Sequence, residues 1–519
     1  MNLDRMVRYR DEDMVDAVVI GTGAGGAPLL SQLARAGLKV VALEAGANRH
    51  PESEFVADET ASADLYWMHE RISGGATPEA FGANNSGIGV GGSTLHWGAF
   101  VPRVDRRDLR LQTETGKGVD WPLGYDELVP YYEDVERFIG VSGPANYPWD
   151  ESRRYPHPPV ARNAPARAMA HACTALGVRH ADAPAALVSR RVEQEGHGIR
   201  HACVGCGYCH QGCRNGSKSS MDVTYLPLAV ANGAEIRAEC MAHGFERDAQ
   251  GNISAVVYTK DGRNRRQRCA AVFLCAGAIE TPRLLLHTGL ANSSGQVGRN
   301  YTAHVATQVW GTFEPEMHMH RGYPSSMMTE EMVRPEQAQF AGGYLVQSLG
   351  VVLQTFADQV ARGRGLWGRE LIEYLHRYNH LAGIGINGEC LPSDDNRLTL
   401  SDERDENGMA KPLIRFSYGE NEKALKAHAI AFMRSLWEAA GATDIWVLER
   451  TAHTIGTCRM GLSGDDSVVD RFGRTFDIGN LWIADNSVFP TSLAANPALT
   501  IMALSLRTAD AFLRSGGRA

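Results

Sequence analysis

Four cysteines, Cys203, Cys206, Cys209 and Cys213, stand close together in C-x2-C-x2-C-x3-C spacing. That is the spacing of a bacterial ferredoxin cluster, except that Arg214 stands where a proline usually follows. Thiolates so close are costly to leave unpaired. The run therefore reads as iron–sulfur ligands, as a zinc site with pairs set too close for an ordinary finger, or as a structural knot. A second group is Gly21, Gly23 and Gly26 in G-x-G-x-x-G spacing, followed by Glu44. Here the first glycine permits a tight turn, the second lets backbone approach a pyrophosphate, and the third packs helix on strand, while the acid is placed to accept from a ribose. A third candidate is His453 in ERTAHTIGTCRMG, a short polar segment without helix or strand period. An imidazole titrates near neutral pH and can take a proton there; the plainer reading is a buried histidine held by a backbone carbonyl. Asn496 precedes Pro497, so it is either a helix N-cap or an amide turned toward a ligand.

The elements that must position these residues follow from the flanking patterns. Val18, Val19 and Ile20 form an apolar run of strand length, and Leu29, Leu30 and Leu33 have helical spacing up to Gly37. KVVALEA is a second strand ending in Glu44. The unit is βαβ, with a helix N-terminus facing the phosphates. Residues 82–103 carry many glycines and little periodicity, and a loop that long inside a compact chain is usually functional. AAVFLCAGA at 270–278 reads as a buried strand leading to a glycine turn. TPRLLLHTG reads as a helix with Thr281 as N-cap and Pro282 at its first position. Residues 421–441 read as an amphipathic helix with Leu425, Phe432 and Leu436 on one face and Gly441 as its stop. LWIAD at 481–485 is a strand ending in Asp485, where open α/β sheets bind ligands. After Asn496 and Pro497, LTIMALSL is a nearly all-apolar helix and must be buried.

The 519 residues suit about three domains or one large composite one. With 44% hydrophobic and 22% charged residues the chain is globular, which excludes collagen, coiled coil and wholesale disorder. The 52 Lys and Arg against 60 Asp and Glu leave a net charge of −8, so no broad positive field exists to hold nucleic acid. No apolar run reaches the roughly 20 residues of a membrane span. The first residues mix both charge signs without an apolar core or twin arginine, which leads us to expect an unprocessed, cytoplasmic protein. The six other cysteines read as thiols of a reducing compartment.

Taken together, the fingerprint, GGSTLHWG at 91–98, GAIETPRLLLHTGL at 277–290, HTIGTCRMG at 453–461 and NLWIADNSVFPTSLAANPALTIMALSLR at 480–507 resemble the glucose–methanol–choline (GMC) oxidoreductases. One departure is Thr288-Gly289, where that family usually has Ser-Gly. Within the family, the GGSTLHWG form and the cysteine run are most similar to the FAD-dependent sugar dehydrogenases and the pyranose and glycoside oxidases.

The resemblance implies an α/β fold. A Rossmann-like FAD-binding domain would be assembled from residues 1–105, 200–305 and 455–519. A substrate domain on a mixed or antiparallel sheet would come from 106–199 and 306–454. It implies FAD as cofactor, His453 as the base that removes a hydroxyl proton, and Asn496 as its partner on the substrate. It places Gly92, Ser93, His96, Trp97, Gly98, Met241, Gly277, Asp485, Pro497 and Thr500 around the flavin, with His96 either a non-covalent wall or a point of covalent attachment. Cys203, Cys209 and Cys213 match positions that hold an electron-relaying iron–sulfur cluster in the dehydrogenase branch, and Cys206 is extra. The expected reaction oxidises a CH–OH of a sugar, glycoside or related polyol. Electrons would leave to oxygen, a quinone or a redox partner protein, with room for a small partner subunit. The alternatives are a non-redox lyase of the same family, an enzyme of a non-sugar alcohol, a non-catalytic electron-transfer flavoprotein and, more remotely, a nicotinamide enzyme. Trp97, Tyr155 and the YPHPP segment are expected to wall a sugar site.

Overall fold

In the computed structural model residues 3–4, 6–80 and 86–516 are described; positions 82–85, the start of the expected glycine-rich loop, lie outside them. Two large sheets share the chain. The first has the order Glu235–Arg237, Val40–Leu43, Val15–Ile20, Arg263–Leu274, Ile253–Lys260, Met241–Arg247, with Leu481–Ile483 added beside Arg263–Leu274. Its half around Val15–Ile20 is parallel and, except at Asp16 and Ala270, buried, as βαβ crossovers favour.

The strand Arg263–Leu274 begins seven residues before the apolar run at 270. Its first half, RNRRQR, is exposed except at Gln267 and pairs antiparallel with Ile253–Lys260; only its second half enters the parallel core. A sequence window sees two unlike halves, and the hairpin joins them. The helix Gly26–Arg35 lays Leu29, Leu30 and Leu33 on this sheet, and the helix Ala498–Arg514 packs beside it, buried as expected.

The second sheet is antiparallel in every pairing. Its order is Thr443–Leu448, Gln308–Thr312, Leu381–Gly388, Tyr344–Leu349, Met327–Thr329, Ala181–Asp182. The strands Thr302–Val305 and Thr451–Ile455, which lie at the expected domain boundaries, pair with each other and belong to this sheet. One face is covered by the helix Glu420–Ala439 through Leu425, Met433, Leu436 and Trp437; Phe432 is only half-buried. Helices Leu353–Arg364 and Gly368–Leu375 pack elsewhere around Trp310 and Trp446. Among the described residues no helix is long and apolar enough to cross a membrane.

The helix expected to start at Thr281 runs instead from Gly277 to Thr288, with Pro282 inside it. A proline there cannot donate to the carbonyl four residues back. That carbonyl, of Ala278, accepts from Thr457 Oγ1 at 2.9 Å instead. Thr281 is not the cap; its hydroxyl donates to Asp485 Oδ2 at 2.6 Å, and the same oxygen accepts from Gly277 N at 2.8 Å. The end of one strand thus holds the start of the neighbouring helix.

Candidate active site

A cavity of about 420 Å³ runs from the fingerprint turn of the first sheet to the face of the second. Its floor is glycine. A Cβ on Gly26 would lie 1.9 Å from the Gly21 carbonyl oxygen, so only glycine lets this helix start so close to its strand. Gly92, at φ +55°, would place a Cβ 2.7 Å from Gly23 Cα, so two glycine turns lie back to back here. Gly21, Gly23, Gly92, Ser93, His96, Trp97, Gly98, Met241, Gly277, Asp485, Asn496 and Pro497 all line the cavity, as does Glu44. His96 Nε2 and Trp97 Nε1 are buried there without a hydrogen-bond partner. A ring system rich in polar edges, lying over a glycine floor at a helix N-terminus, would satisfy them, and these residues therefore fit FAD.

Two acids are more committed than their spacing suggested. Glu44 accepts from Thr22 N and Oγ1 through one oxygen and from Gly46 N and Gly89 N through the other. It holds three loops around the cavity, and burial raises its pKa against those donors. Asp485 likewise spends both oxygens on Gly277 N, Thr281 Oγ1 and Ser487 N.

His453 lies on a strand after all, but at an irregularity of it. Opposite it, Ala303 pairs with Thr454 and the next residue, His304, pairs with Ala452, so His453 is the extra residue of a β-bulge. Its φ is +59°, a left-handed conformation that costs a non-glycine residue on the order of 1–3 kcal/mol. Bulges re-aim side chains, and this one turns the imidazole into the cavity. The bulge also explains why the segment shows no period.

The hydrogen bonds around His453 assign its tautomer. His304 Nε2 lies 2.9 Å from the Ser492 carbonyl oxygen and 3.0 Å from that of Leu493. Carbonyls only accept, so this nitrogen carries the hydrogen, and neutral His304 has a lone pair at Nδ1. His453 Nδ1 lies 2.9 Å from that lone pair and must donate to it. The basic lone pair of His453 is then at Nε2, 3.4 Å from Asn496 Nδ2. Burial, His304 and the Arg450 charge, in that order, hold the pKa of His453 well below its ordinary 6.5; burial brings His304 to about 4. Both rings are neutral at neutral pH.

Asn496 is no N-cap: the helix opens at Pro497 without a side-chain cap bond. Its Oδ1 accepts from Asn387 Nδ2 at 2.9 Å, which fixes the amide with its NH₂ toward His453. Two expectations are corrected. Thr500 does not reach the cavity; one turn into the helix, its hydroxyl pairs with Tyr132 Oη at 2.9 Å. Tyr155 and its YPHPP segment are not a wall either, because the ring packs over Gly143 and against Tyr147.

The four clustered cysteines line one small separate cavity with Gly322 and Tyr323, and Gly207 borders both cavities. Among the described residues, however, no three or more His, Cys, Asp or Glu side chains gather as a metal ion would require. The buried Lys218 ammonium ties this loop to the segment Gly92–Leu95 beside the larger cavity, donating to the carbonyls of Cys209 and Leu95 at 2.6 and 2.7 Å.

His304, Asn387 and Arg450, all at the site, were not singled out from sequence. A lone histidine or asparagine in an apolar strand was the available signal.

The family models for GMC oxidoreductase match residues 73–306 and 392–505. The chain is 30% identical to 2-methyl-1,2-propanediol dehydrogenase of Mycolicibacterium austroafricanum, over 96% of this chain and 95% of that one. It is 30% identical to the fructose dehydrogenase large subunit of Gluconobacter japonicus, over 96% and 97%. Among solved structures, pyridoxine 4-oxidase from Mesorbium loti superposes with a TM-score of 0.69 at 16% identity, covering 96% of this chain and 99% of that chain. The chain belongs to the GMC oxidoreductase family. It is an oxidoreductase acting on CH–OH donors, with an FAD-binding part and a substrate-binding part.

Proposed function

We propose that this protein oxidises a secondary or hemiacetal CH–OH of a sugar, glycoside or related polyol, with His453 as the base and Asn496 orienting the hydroxyl. The observation that carries this reading is the lone pair of His453 Nε2, directed into the cavity beside the Asn496 amide. FAD, which Gly21, Gly23 and Gly92 would hold over the glycine floor, would supply the hydride acceptor. The chain's own residues do the rest. Asn496 places the hydroxyl, and His453 receives its proton, a contribution of about 10²–10⁴ in rate for such a base. His304 keeps the proton-accepting nitrogen on the cavity side. We propose the two-part division with boundaries at 105/106 and 199/200, and with the later ones at 301/302 and 455/456, so that Thr302–Val305 and Thr451–Ile455 stay whole in the second sheet. Electrons leave to oxygen, a quinone or a redox partner. Cys203, Cys206, Cys209 and Cys213 border the larger cavity through Gly207 but do not gather as a metal ion requires, so no electron-transfer step is routed through them. His96 is proposed as a non-covalent wall, its imidazole kept neutral by burial, with a pKa of about 3.

A second reading, oxidation of a small non-sugar diol, is supported by the first of the two dehydrogenases above. The test is anaerobic titration of the purified yellow protein with neutral sugars, sugar acids and short diols, with iron and acid-labile sulfide assayed on the same sample. Bleaching by a polyol supports the oxidation; bleaching by diols alone favours the second reading. Turnover with the flavin left oxidised would show a lyase instead and overturn both.

A further inference from the structure

The part of the cavity contributed by residues 306–454 is polar but unbalanced in charge. It includes Gln308, Gln347, Gln359 and Asn387, no Asp or Glu, and one guanidinium, Arg450. Gln347 and Gln359 each have a buried Oε1 with no hydrogen-bond partner. Unfilled acceptors of this kind cost free energy until a donor meets them, and hydroxyl groups are donors. Arg450 donates from Nε to the Thr451 carbonyl at 3.3 Å. Among the described residues no carboxylate forms a salt bridge with it.

The charged groups nearest to Arg450 do not neutralise it. Asp358 is paired with Arg362 at 2.6 Å, on the helix that forms the cavity's outer wall. Glu79 accepts from Thr451 Oγ1 and forms no salt bridge with Arg450; burial raises its carboxyl to about 7. A guanidinium facing a cavity without a directly paired carboxylate is expensive unless an anion completes it, and its planar fork matches carboxylate or phosphate.

Resting on the polyol reading above, we propose that the preferred substrate is an anionic polyol, a sugar acid or sugar phosphate, whose negative group binds Arg450 while its hydroxyls donate to Gln347 and Gln359. The same geometry discriminates against amino sugars, whose ammonium would meet an uncompensated positive charge with no carboxylate beside it.

The experiment compares gluconate, glucuronate, glucose 6-phosphate, glucose and glucosamine as anaerobic reductants of the holoenzyme. Each is also titrated into the oxidised protein, followed by its thermal midpoint. Expected is a kcat/KM for at least one anion roughly ten- to a hundredfold above glucose, as a charge-assisted bond supplies, with glucosamine the poorest. In Arg450→Met the anion-to-neutral ratio falls to about one, and the thermal shift with that anion is lost. Arg450→Lys restores part of both, and the carboxylate and phosphate arms tell which anion is meant. Equal kcat/KM for glucose and every anion, or a ratio unchanged in Arg450→Met, overturns the anion proposal while leaving polyol oxidation standing. Failure of every polyol to reduce the flavin, with short diols active, overturns both.

Discussion

His304 and His453 meet across a β-bulge with their Nδ1 atoms 2.9 Å apart and their rings nearly perpendicular, at 85°. One hydrogen is shared between two neutral imidazoles. Because His304 is already committed to backbone carbonyls through Nε2, its direction is set. The consequence is a lone pair on His453 Nε2 that faces the cavity beside the Asn496 amide before any substrate arrives.

Removing the acceptor while keeping the ring volume should release that tautomer. In His304→Phe, His453 loses the partner of its Nδ1–H and populates the form with hydrogen at Nε2. Flavin reduction should slow by about tenfold or more, roughly 1.4 kcal/mol, with KM much less affected. His304→Gln, whose amide oxygen can accept from Nδ1, should recover part of the rate. Stopped-flow reduction of the three proteins checks this; equal rates in all three would show that His304 only fills space.

The pH profile follows from the direction of the shift. His453 acts as a base only when neutral, and its pKa is held well below 6.5. The acid limb of kcat/KM should therefore lie below the pH of an ordinary histidine, and activity should persist through pH 6. A limb centred near 6.5 or above would mean that the titrating group is not this buried ring.

Asn387 lines the cavity and orients the Asn496 amide with a 2.9 Å hydrogen bond. Asn387→Ala frees the amide to rotate. Substrate KM should rise and the reduction rate fall by several-fold, on the scale of one lost hydrogen bond, about 1 kcal/mol. Asn387→Asp tests the sign: a carboxylate can still accept but cannot donate to Oδ1, so it should not rescue. Steady-state kinetics on the three proteins gives the answer.

Much of the site is visible in the chain because its determinants are local. Gly21, Gly23 and Gly26 sit in one turn, and His453 and Asn496 sit in short motifs that can be read without the fold. What could not be read is non-local. His304 acts on His453 from 149 residues away and Asn387 on Asn496 from 109, and no periodicity reports such pairings. Thr500 is near Pro497 in sequence, yet the helix turns it to Tyr132. The helix start at Gly277 was hidden because Pro282 usually marks a first turn, while here Thr457 takes over the carbonyl the proline leaves free.

The second and third glycines of the fingerprint should fail differently. In Gly26→Ala the new methyl would lie 1.9 Å from the Gly21 carbonyl oxygen, so the helix cannot pack and soluble protein should be scarce. In Gly23→Ala the methyl meets only Gly92 Cα, at 3.7 Å, and the chain should fold. It would then occupy the cradle itself, and the purified protein should be pale. Absorbance at the flavin band per mole of folded chain distinguishes the cases; a fully yellow Gly23→Ala protein would place the pyrophosphate elsewhere.

The most direct measurement is anaerobic reduction of His453→Ala holoenzyme by the best polyol, with flavin content and far-UV circular dichroism matched to the unsubstituted protein. Expected is a fall of about 10²–10⁴ in the reduction rate, partly restored by added imidazole. A rate within a few-fold of the unsubstituted protein, with flavin fully bound, would contradict the assignment of His453 as the base.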